Sequence, residues 1–249
     1  MTLRDKTAVV IGASFGVGKA TVKALSAAGV RVTAVARSAE GLAVLKSEVG
    51  SDLETVESDA ADPRTADRLL REFRPDFVVL TAGVRPQMGA VDDLSWESFS
   101  EAWNTDTKAG FHLVQAALRT PLRKGSVVVL VSSGAAIQGS YLSGGYAGAK
   151  RMQWWLAAYA QKVAEQKDLG IRFLAMLPKQ LIEGTAIASL ASAGYGAALG
   201  IPAGDYMKRF DVPLTCDKVA AAIGDGLRGK LAPSLTAFAV TGTGLEPLE

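Results

Sequence analysis

This chain of 249 residues has one cysteine, Cys216, which excludes an internal disulfide framework. Cysteine usage therefore leaves the compartment open, and cytoplasm is the default expectation. The sole histidine, His112, sits in a helical pattern and reads as a core or interface residue rather than as chemistry. No metal site is expected. A dominant charge is missing too: 27 Lys and Arg stand against 25 Asp and Glu, a net of +2, with no basic cluster. A nucleic-acid face is thereby excluded. Membrane signals are imitated but not met. Arg4 and Lys6 precede an apolar run over 7–18, but that run is short and Gly-rich with no small-residue cleavage site. The uncharged stretch 184–204 is mostly Ala, Gly and Ser, with Pro202 near its end, too weakly apolar for lipid. The chain reads as soluble. No Pro/Ser-rich linker and no repeat divides it, so 1–249 reads as one domain, a length that α/β folds reach.

What is present is 49% hydrophobic content and 26 glycines, which suits a globular fold with many tight turns. Seven short apolar runs read as strands: 7–11, 31–36, 53–57, 77–81, 126–132, 172–177 and 235–240. Helical patterns lie between them, at 18–28, 39–49, 65–72, 96–119, 146–165 and 217–228. Strands buried on both faces and alternating with helices imply right-handed crossovers and a parallel sheet covered on both sides. The expected class is α/β, a three-layer doubly wound parallel sheet of about seven strands.

The first strand runs into Gly12-Ala13-Ser14-Phe15-Gly16-Val17-Gly18, and a helix follows. Glycines let the backbone turn sharply and approach a pyrophosphate, while the helix N-terminus offers free N–H groups and a positive dipole end. The arrangement is Rossmann-like. Gly18-Lys19 imitates the end of a Walker-type phosphate loop, but the first glycine is one position too far and Ala20 replaces the magnesium-binding hydroxyl. The second strand ends Val35-Ala36-Arg37-Ser38. A carboxylate there would hold a ribose hydroxyl, whereas Arg37 offers a fork to a 2′-phosphate, which favours NADP(H) over NAD(H).

The fifth strand ends at Ser132-Ser133, and Tyr146 and Lys150 follow on one helix face, four residues apart. A free tyrosine ionises near pH 10, and a neighbouring ammonium favours the phenolate. Tyr146 then exchanges a proton with an alcohol or carbonyl oxygen while hydride passes to or from nicotinamide. Ser133 is placed to hydrogen-bond that oxygen.

With these motifs in order, the chain resembles a classical short-chain dehydrogenase/reductase over nearly its full length. The likeness rests on Gly12, Gly16 and Gly18, on Asp59 after the third strand, on Ala82-Gly83 after the fourth, and on Asn104, Ser133, Tyr146 and Lys150. Ser133 lies thirteen residues before Tyr146, the family's usual spacing, and is chosen over Ser132 for that reason. The resemblance implies that Tyr146 is the general acid/base, that Ser133 positions substrate, and that Lys150 lowers the Tyr146 pKa and binds the nicotinamide ribose. It implies that Asn104 helps hold a relay water, that Asp59 and Ala60 border the adenine, and that Ala82 and Gly83 pack near its ribose. The cofactor-binding set is completed by Ser14, Phe15, Val17, Ser38, Pro178 and Leu181. Most of these positions fall at C-terminal strand ends, the edge where open α/β sheets bind ligands.

Two departures are visible. The fourth strand ends Leu80-Thr81-Ala82-Gly83, where the family often has Asn-Asn-Ala-Gly. After the sixth strand the order is Pro178-Lys179-Gln180-Leu181-Ile182-Glu183-Gly184-Thr185, so Lys179 replaces a usual glycine and Thr185 falls two places late. The carboxamide contact then falls to backbone at Leu181 or Ile182. A substrate lid is expected near 184–212, lined by Ile187, Leu190, Tyr195 and Leu199, with an ordinary Ala-rich surface helix as the alternative. Of Trp154 and Trp155, one is expected to pack inward and the other to reach a subunit interface. The resemblance implies a homotetramer or homodimer through the 146–165 and 96–119 helices. The expected partner is a small alcohol or carbonyl substrate. The competing reading is a non-catalytic NADP(H)-binding redox-sensing module; an epimerase or dehydratase stands third.

Overall fold

The computed structural model describes residues 2–120 and 122–248. The apolar runs form β1 (Thr7–Ile11), β2 (Arg31–Ala36), β3 (Glu54–Glu57), β4 (Phe77–Leu80), β5 (Val127–Val131), β6 (Arg172–Pro178) and β7 (Ala237–Thr241). All seven are parallel, in the order β3-β2-β1-β4-β5-β6-β7. The order reverses between β1 and β4, where Ile11 pairs with Leu80, and a crevice opens beyond their C-terminal ends. An eighth strand, β8 (Gly244–Leu248), runs antiparallel on β7 and closes that side of the sheet. It lies outside the expected seven because Gly-Leu-Glu-Pro-Leu has no clean alternation and carries Pro247. Proline is tolerated on an edge strand, where one side has no ladder to complete.

Side chains alternate across β1. Ala8 and Val10 face one layer and Val9 and Ile11 the other. The first layer is closed by α1 (Gly16–Ala27), α2 (Ala39–Val49) and α9 (Cys216–Leu227), through Val22, Leu45 and Ile223. The second is closed by α3 (Pro63–Phe73), α5 (Lys108–Arg119) and α6 (Tyr146–Gln166), through Leu69, Leu113 and Ala157. Each fully buried Val, Leu or Ile contributes roughly 1.5–3 kcal/mol against solvent exposure. The sheet is thus anchored from both faces, and its loops are free to serve the crevice.

Helix starts follow their caps. Ser38, Asp62 and Thr215 accept N–H bonds in the first turns of α2, α3 and α9, and Pro63 opens α3. The pattern at 96–119 is not one helix. It divides into α4 (Trp96–Ala102), a π-helical turn (Trp103–Thr107) and α5. The 184–212 stretch folds as α7 (Ala186–Leu199), capped by Thr185 and ended by Gly200 at φ 68°, and then the short α8 (Ala203–Met207). Among the described residues no helix is long and apolar enough to cross a membrane.

Candidate active site

The glycine loop is fixed by close approach. Gly12 sits at φ 93°, and a Cβ there would press on the backbone of Thr81 and Ala82. At Gly18 a Cβ would strike the Gly12 carbonyl and come within 2.5 Å of Thr81 Oγ1. Thr81 secures the same junction, with its hydroxyl 3.0 Å from the carbonyls of both Ile11 and Gly12. Gly16, at φ 53°, is demanded by its backbone rather than by space, since a Cβ there would only touch Thr185 Cγ2 at 3.8 Å. The first turn of α1 has no side-chain cap, unlike α2, α3 and α9, and no acidic residue, unlike α2 and α9. Its N–H groups suit an anion such as a pyrophosphate. Ser14 and Phe15 line the same hollow, with Phe15 70% exposed. Lys19 turns away to Glu48 at 2.6 Å and offers nothing to a phosphate in this loop.

Beyond β2 a cavity of about 380 Å³ is bordered by Arg37, Ser38, Asp59, Ala60, Ala82 and Gly83. The Ser38 hydroxyl accepts from Gly41 N–H, and Asp59 accepts from Ala61 N–H, so both loops are held in place. Arg37 is exposed at the rim. A second cavity, of about 780 Å³, adjoins the first and shares Phe15, Arg37, Thr81 and Gly83 with it. Gly16, Val17, Gly18, Ser133, Tyr146, Lys150, Pro178 and Leu181 line this second part. A dinucleotide fits the pair: anion-ready N–H groups in the middle, a cation at one end, and a polar cluster at the other.

Within that cluster the two serines divide. Ser132 donates its hydroxyl proton to the Lys150 carbonyl at 2.7 Å and pins β5 to α6. Ser133 accepts from Ala135 N–H at 3.2 Å and keeps its own hydroxyl proton for the cleft. Tyr146 opens α6, and Lys150 follows one turn later with Nζ 5.6 Å from the Tyr146 ring centre. Lys150 is buried. Burial alone would push its ammonium down, but Asp106, Tyr146 and the hydrogen bond to Asp106 outweigh it and hold the group above the usual lysine range.

Asn104 is not brought to this cluster. It is exposed, and its amide donates to Ser100 Oγ at 3.3 Å. The residue that reaches Lys150 is Asp106, two positions later, at 2.9 Å through Oδ2. Gln153 also reaches it, accepting from Lys150 Nζ at 3.0 Å. Sequence reasoning missed both, although a signal existed. Asp106 lies on the stripe of Ala102, Ala109 and Leu113, and Gln153 on that of Ala149, Leu156 and Ala160. A polar residue on an apolar helical stripe marks a buried polar group. Asn104 lies off that stripe.

The altered stretch after β6 is tied down. Lys179 pairs with Glu246 of β8 at 2.7 Å, and Gln180 accepts from Gly242 N–H. Thr185 donates to the Ile182 carbonyl at 2.8 Å and caps α7. Of the four residues expected to line the lid, Ile187 borders the cleft, while Leu190 and Leu199 are exposed on the outer side of α7. Tyr195 stacks on Tyr206 and bonds Ser140. Trp154 packs inward and Trp155 is exposed. His112 lies outside both cavities, with Nε2 buried and unpartnered, and burial pushes it below the usual histidine range. Among the described residues no cluster of metal-ligating side chains occurs.

Known proteins share this fold. A crystal structure from Escherichia coli CFT073, provisionally assigned as a short chain dehydrogenase, superposes with TM-score 0.62 at 22% identity, covering 71% of this chain and 82% of that one. The chain is 26% identical to a 3-oxoacyl-(acyl-carrier-protein) reductase of Escherichia coli K12, over 67% of its own length and 69% of the relative's. It is 26% identical to an NADPH-dependent pterin aldehyde reductase of Arabidopsis thaliana, over 70% and 74%. With an L-xylulose reductase of Mesocricetus auratus the identity is 34%, over about half of each chain (53% and 54%). The family model for the short chain dehydrogenases matches residues 6–189, which span every strand from β1 to β6 and the whole Ser133–Tyr146–Lys150 cluster. The chain belongs to the short-chain dehydrogenase family, and is an oxidoreductase of that nicotinamide-dependent kind.

Proposed function

We propose that the chain is an NADP(H)-dependent oxidoreductase that interconverts an alcohol and a carbonyl, with Tyr146 as general acid/base. The observation that carries this reading is a pair of adjoining hollows with shared walls. Together they join the uncapped start of α1 to Tyr146, with the Lys150 ammonium 5.6 Å from its ring. When bound, the nicotinamide supplies or takes the hydride. Tyr146 gives its phenolic proton to the substrate oxygen in reduction and takes it back in oxidation. Ser133 donates its hydroxyl to that oxygen and steadies the charge that develops there. Lys150 keeps a positive charge near the phenol. Arg37 is the group that would hold a 2′-phosphate, with Ser38 beside it.

The finer assignments follow the same reading. Gly12, Ser14, Phe15, Gly16, Val17 and Gly18 bind the pyrophosphate, Asp59 and Ala60 border the adenine, and Ala82 and Gly83 lie by its ribose. Pro178 and Leu181 face the nicotinamide. Segment 184–212 serves a cytoplasmic single domain as its substrate lid, with Ile187 on the inner side. Homodimers or homotetramers form through α4–α5 and α6, where Trp103, Phe111, Trp155 and Tyr159 are exposed.

The test is a panel of ketones and aldehydes assayed with NADPH and NADH in parallel, on the protein and on Tyr146→Phe. NADPH oxidation with at least one carbonyl is expected, with NADH at least about tenfold slower. Tyr146→Phe should lower turnover by roughly 10²–10⁴-fold, the usual contribution of a positioned acid, and leave NADPH binding intact. Full activity in that variant removes Tyr146 from the chemistry. NADPH binding without turnover across the panel favours the sensing module instead.

A further inference from the structure

Lys150 is held by two partners that its role toward Tyr146 does not require. Its side chain is 6% exposed and that of Asp106 0%. A buried ammonium has three N–H donors and needs each one matched. Asp106 Oδ2 forms an ion pair with it at 2.9 Å, and Gln153 Oε1 accepts one N–H at 3.0 Å. Lys150 also lines the cleft, so the ammonium has a side open to a ligand.

The partners are themselves fixed. Asp106 Oδ1 accepts from Val84 N–H at 2.9 Å and from the Thr105 hydroxyl at 3.1 Å. Gln153 Nε2 donates to the Asp106 carbonyl at 2.9 Å, which joins the two arms to each other. Two further features make room for the carboxylate. The π-helical turn over Trp103–Thr107 carries Asp106, and such turns recur where a helix must re-aim one residue. Gly83 stands opposite, where a Cβ would come within 2.6 Å of Asp106 Oδ2.

Building on the reading of Lys150 given above, we infer that Asp106 and Gln153 form a positioning clamp for Lys150. Asp106 keeps the buried ammonium charged, Gln153 fixes its direction, and one N–H is left for the ribose or the phenol. Neither residue touches the reacting atoms. A lysine buried without a carboxylate loses its proton readily, because desolvation penalises the charged form. The charge beside Tyr146 therefore depends on Asp106. Tyr146 on its own helix also acts on Lys150, and the other titratable side chains that line the same cleft are Arg37 just past β2, Arg85 in the loop after β4 and Glu101 in α4. β5 and β6 face it with Ser132, Ser133 and Pro178, which carry no charge.

The clamp is tested on the whole protein carrying ¹⁵N-labelled lysine, by following the Lys150 Nζ resonance against pH, with Lys150→Arg for assignment. In the unmodified protein the Nζ–H signal should be visible and slow to exchange, because the ammonium is buried and bonded. A rapidly exchanging ammonium would overturn the clamp without any Asp106 variant. Asp106→Asn keeps the shape and the contact to Val84 but removes the charge. Lys150 should then titrate about two pH units lower or more. In Gln153→Met, which removes only the neutral arm, a much smaller movement is expected. An unchanged midpoint in Asp106→Asn overturns the proposal. Turnover adds an independent check: both limbs of the pH–rate profile should move to lower pH in Asp106→Asn, since losing a negative charge eases every nearby deprotonation. If the chain has no reductase activity, the resonance still reports on the clamp, so failure of the enzymatic reading and failure of the clamp are told apart.

Discussion

The two ends of the parallel strands treat polar groups in opposite ways. At the N-terminal ends most are matched within the chain, with Ser126 Oγ and Arg172 Nε buried without a partner among the described residues. Asp76 accepts from the Thr7 N–H at 2.9 Å and the Thr7 hydroxyl at 3.0 Å, Arg123 donates to the Arg74 carbonyl, and Arg172 donates to the carbonyls of Leu231 and Ala232. At the C-terminal ends, α1 begins without a side-chain cap, and Arg37 has no carboxylate or carbonyl partner among the described residues. Polar groups satisfied by the chain contribute to stability, whereas an uncapped helix start beside an exposed, unpaired cation suits an anionic ligand. The contrast separates a structural end from a binding end without reference to any relative.

The sharpest way to break the contrast is at Gly12. A Cβ there meets backbone, which cannot move aside, and φ 93° is strained for any side chain. Gly12→Ala should cost about 3 kcal/mol or more, combining backbone strain with overpacking. Thermal unfolding measures the loss. The fraction that still folds should fail to bind NADPH, because the junction of β1, α1 and β4 is the proposed pyrophosphate seat. Wild-type stability and binding would show that the close approach to Ala82 is not a constraint.

Arg37 gives a smaller and more selective effect. Arg37→Ala removes a charge that the folded chain does not pair, so stability should stay within about 0.5 kcal/mol. NADPH affinity should fall roughly 10- to 100-fold, since a hydrogen bond to a charged group is worth about 1.5–3 kcal/mol. NADH affinity should hardly change. Equilibrium titration with both nucleotides measures the difference, and equal losses for both would detach Arg37 from the 2′-phosphate.

Much of the binding end was legible in the sequence, and the reason is local. Gly12, Gly16 and Gly18 stand out as a spaced motif directly after an apolar run, and the strand-end positions of Arg37, Asp59 and Ser133 follow from apolar runs that are easy to see. Tyr146 and Lys150 are one helical turn apart, so their pairing needs no tertiary information. Asp106 was missed because the choice of Asn104 rested on resemblance, not on the apolar stripe. The π-helical turn that re-aims this stretch has no simple periodic signature. The β8 strand escaped for a different reason: its pairing with β7 depends on register and the two-residue connection at Gly242-Thr243, not on composition. Of the four residues expected to line the lid, Ile187 alone borders the cleft, because small residues in α7 do not show which face turns inward.

Asp76 tests the other end of the contrast, with the smallest effect on function. Burial pushes its carboxyl upward, but the two hydrogen bonds from Thr7, with Lys6 and Arg123 nearby, pull it further down and leave it below the usual range. A carboxylate depressed in the folded state stabilises above its unfolded ionisation, and that contribution fades as pH falls through the folded value. Asp76→Ala should therefore destabilise the protein by about 2 kcal/mol at neutral pH, the scale of charge-assisted hydrogen bonds. The difference from wild type should shrink below about pH 4, where the unfolded carboxyl protonates. Denaturant unfolding at several pH values measures this. NADPH affinity and turnover at a temperature where the variant stays folded should be unchanged, because Asp76 lies at the far end of β4 from the cleft. A variant that loses nucleotide affinity while keeping its stability would place a ligand-facing role at the N-terminal end and undo the division between the two.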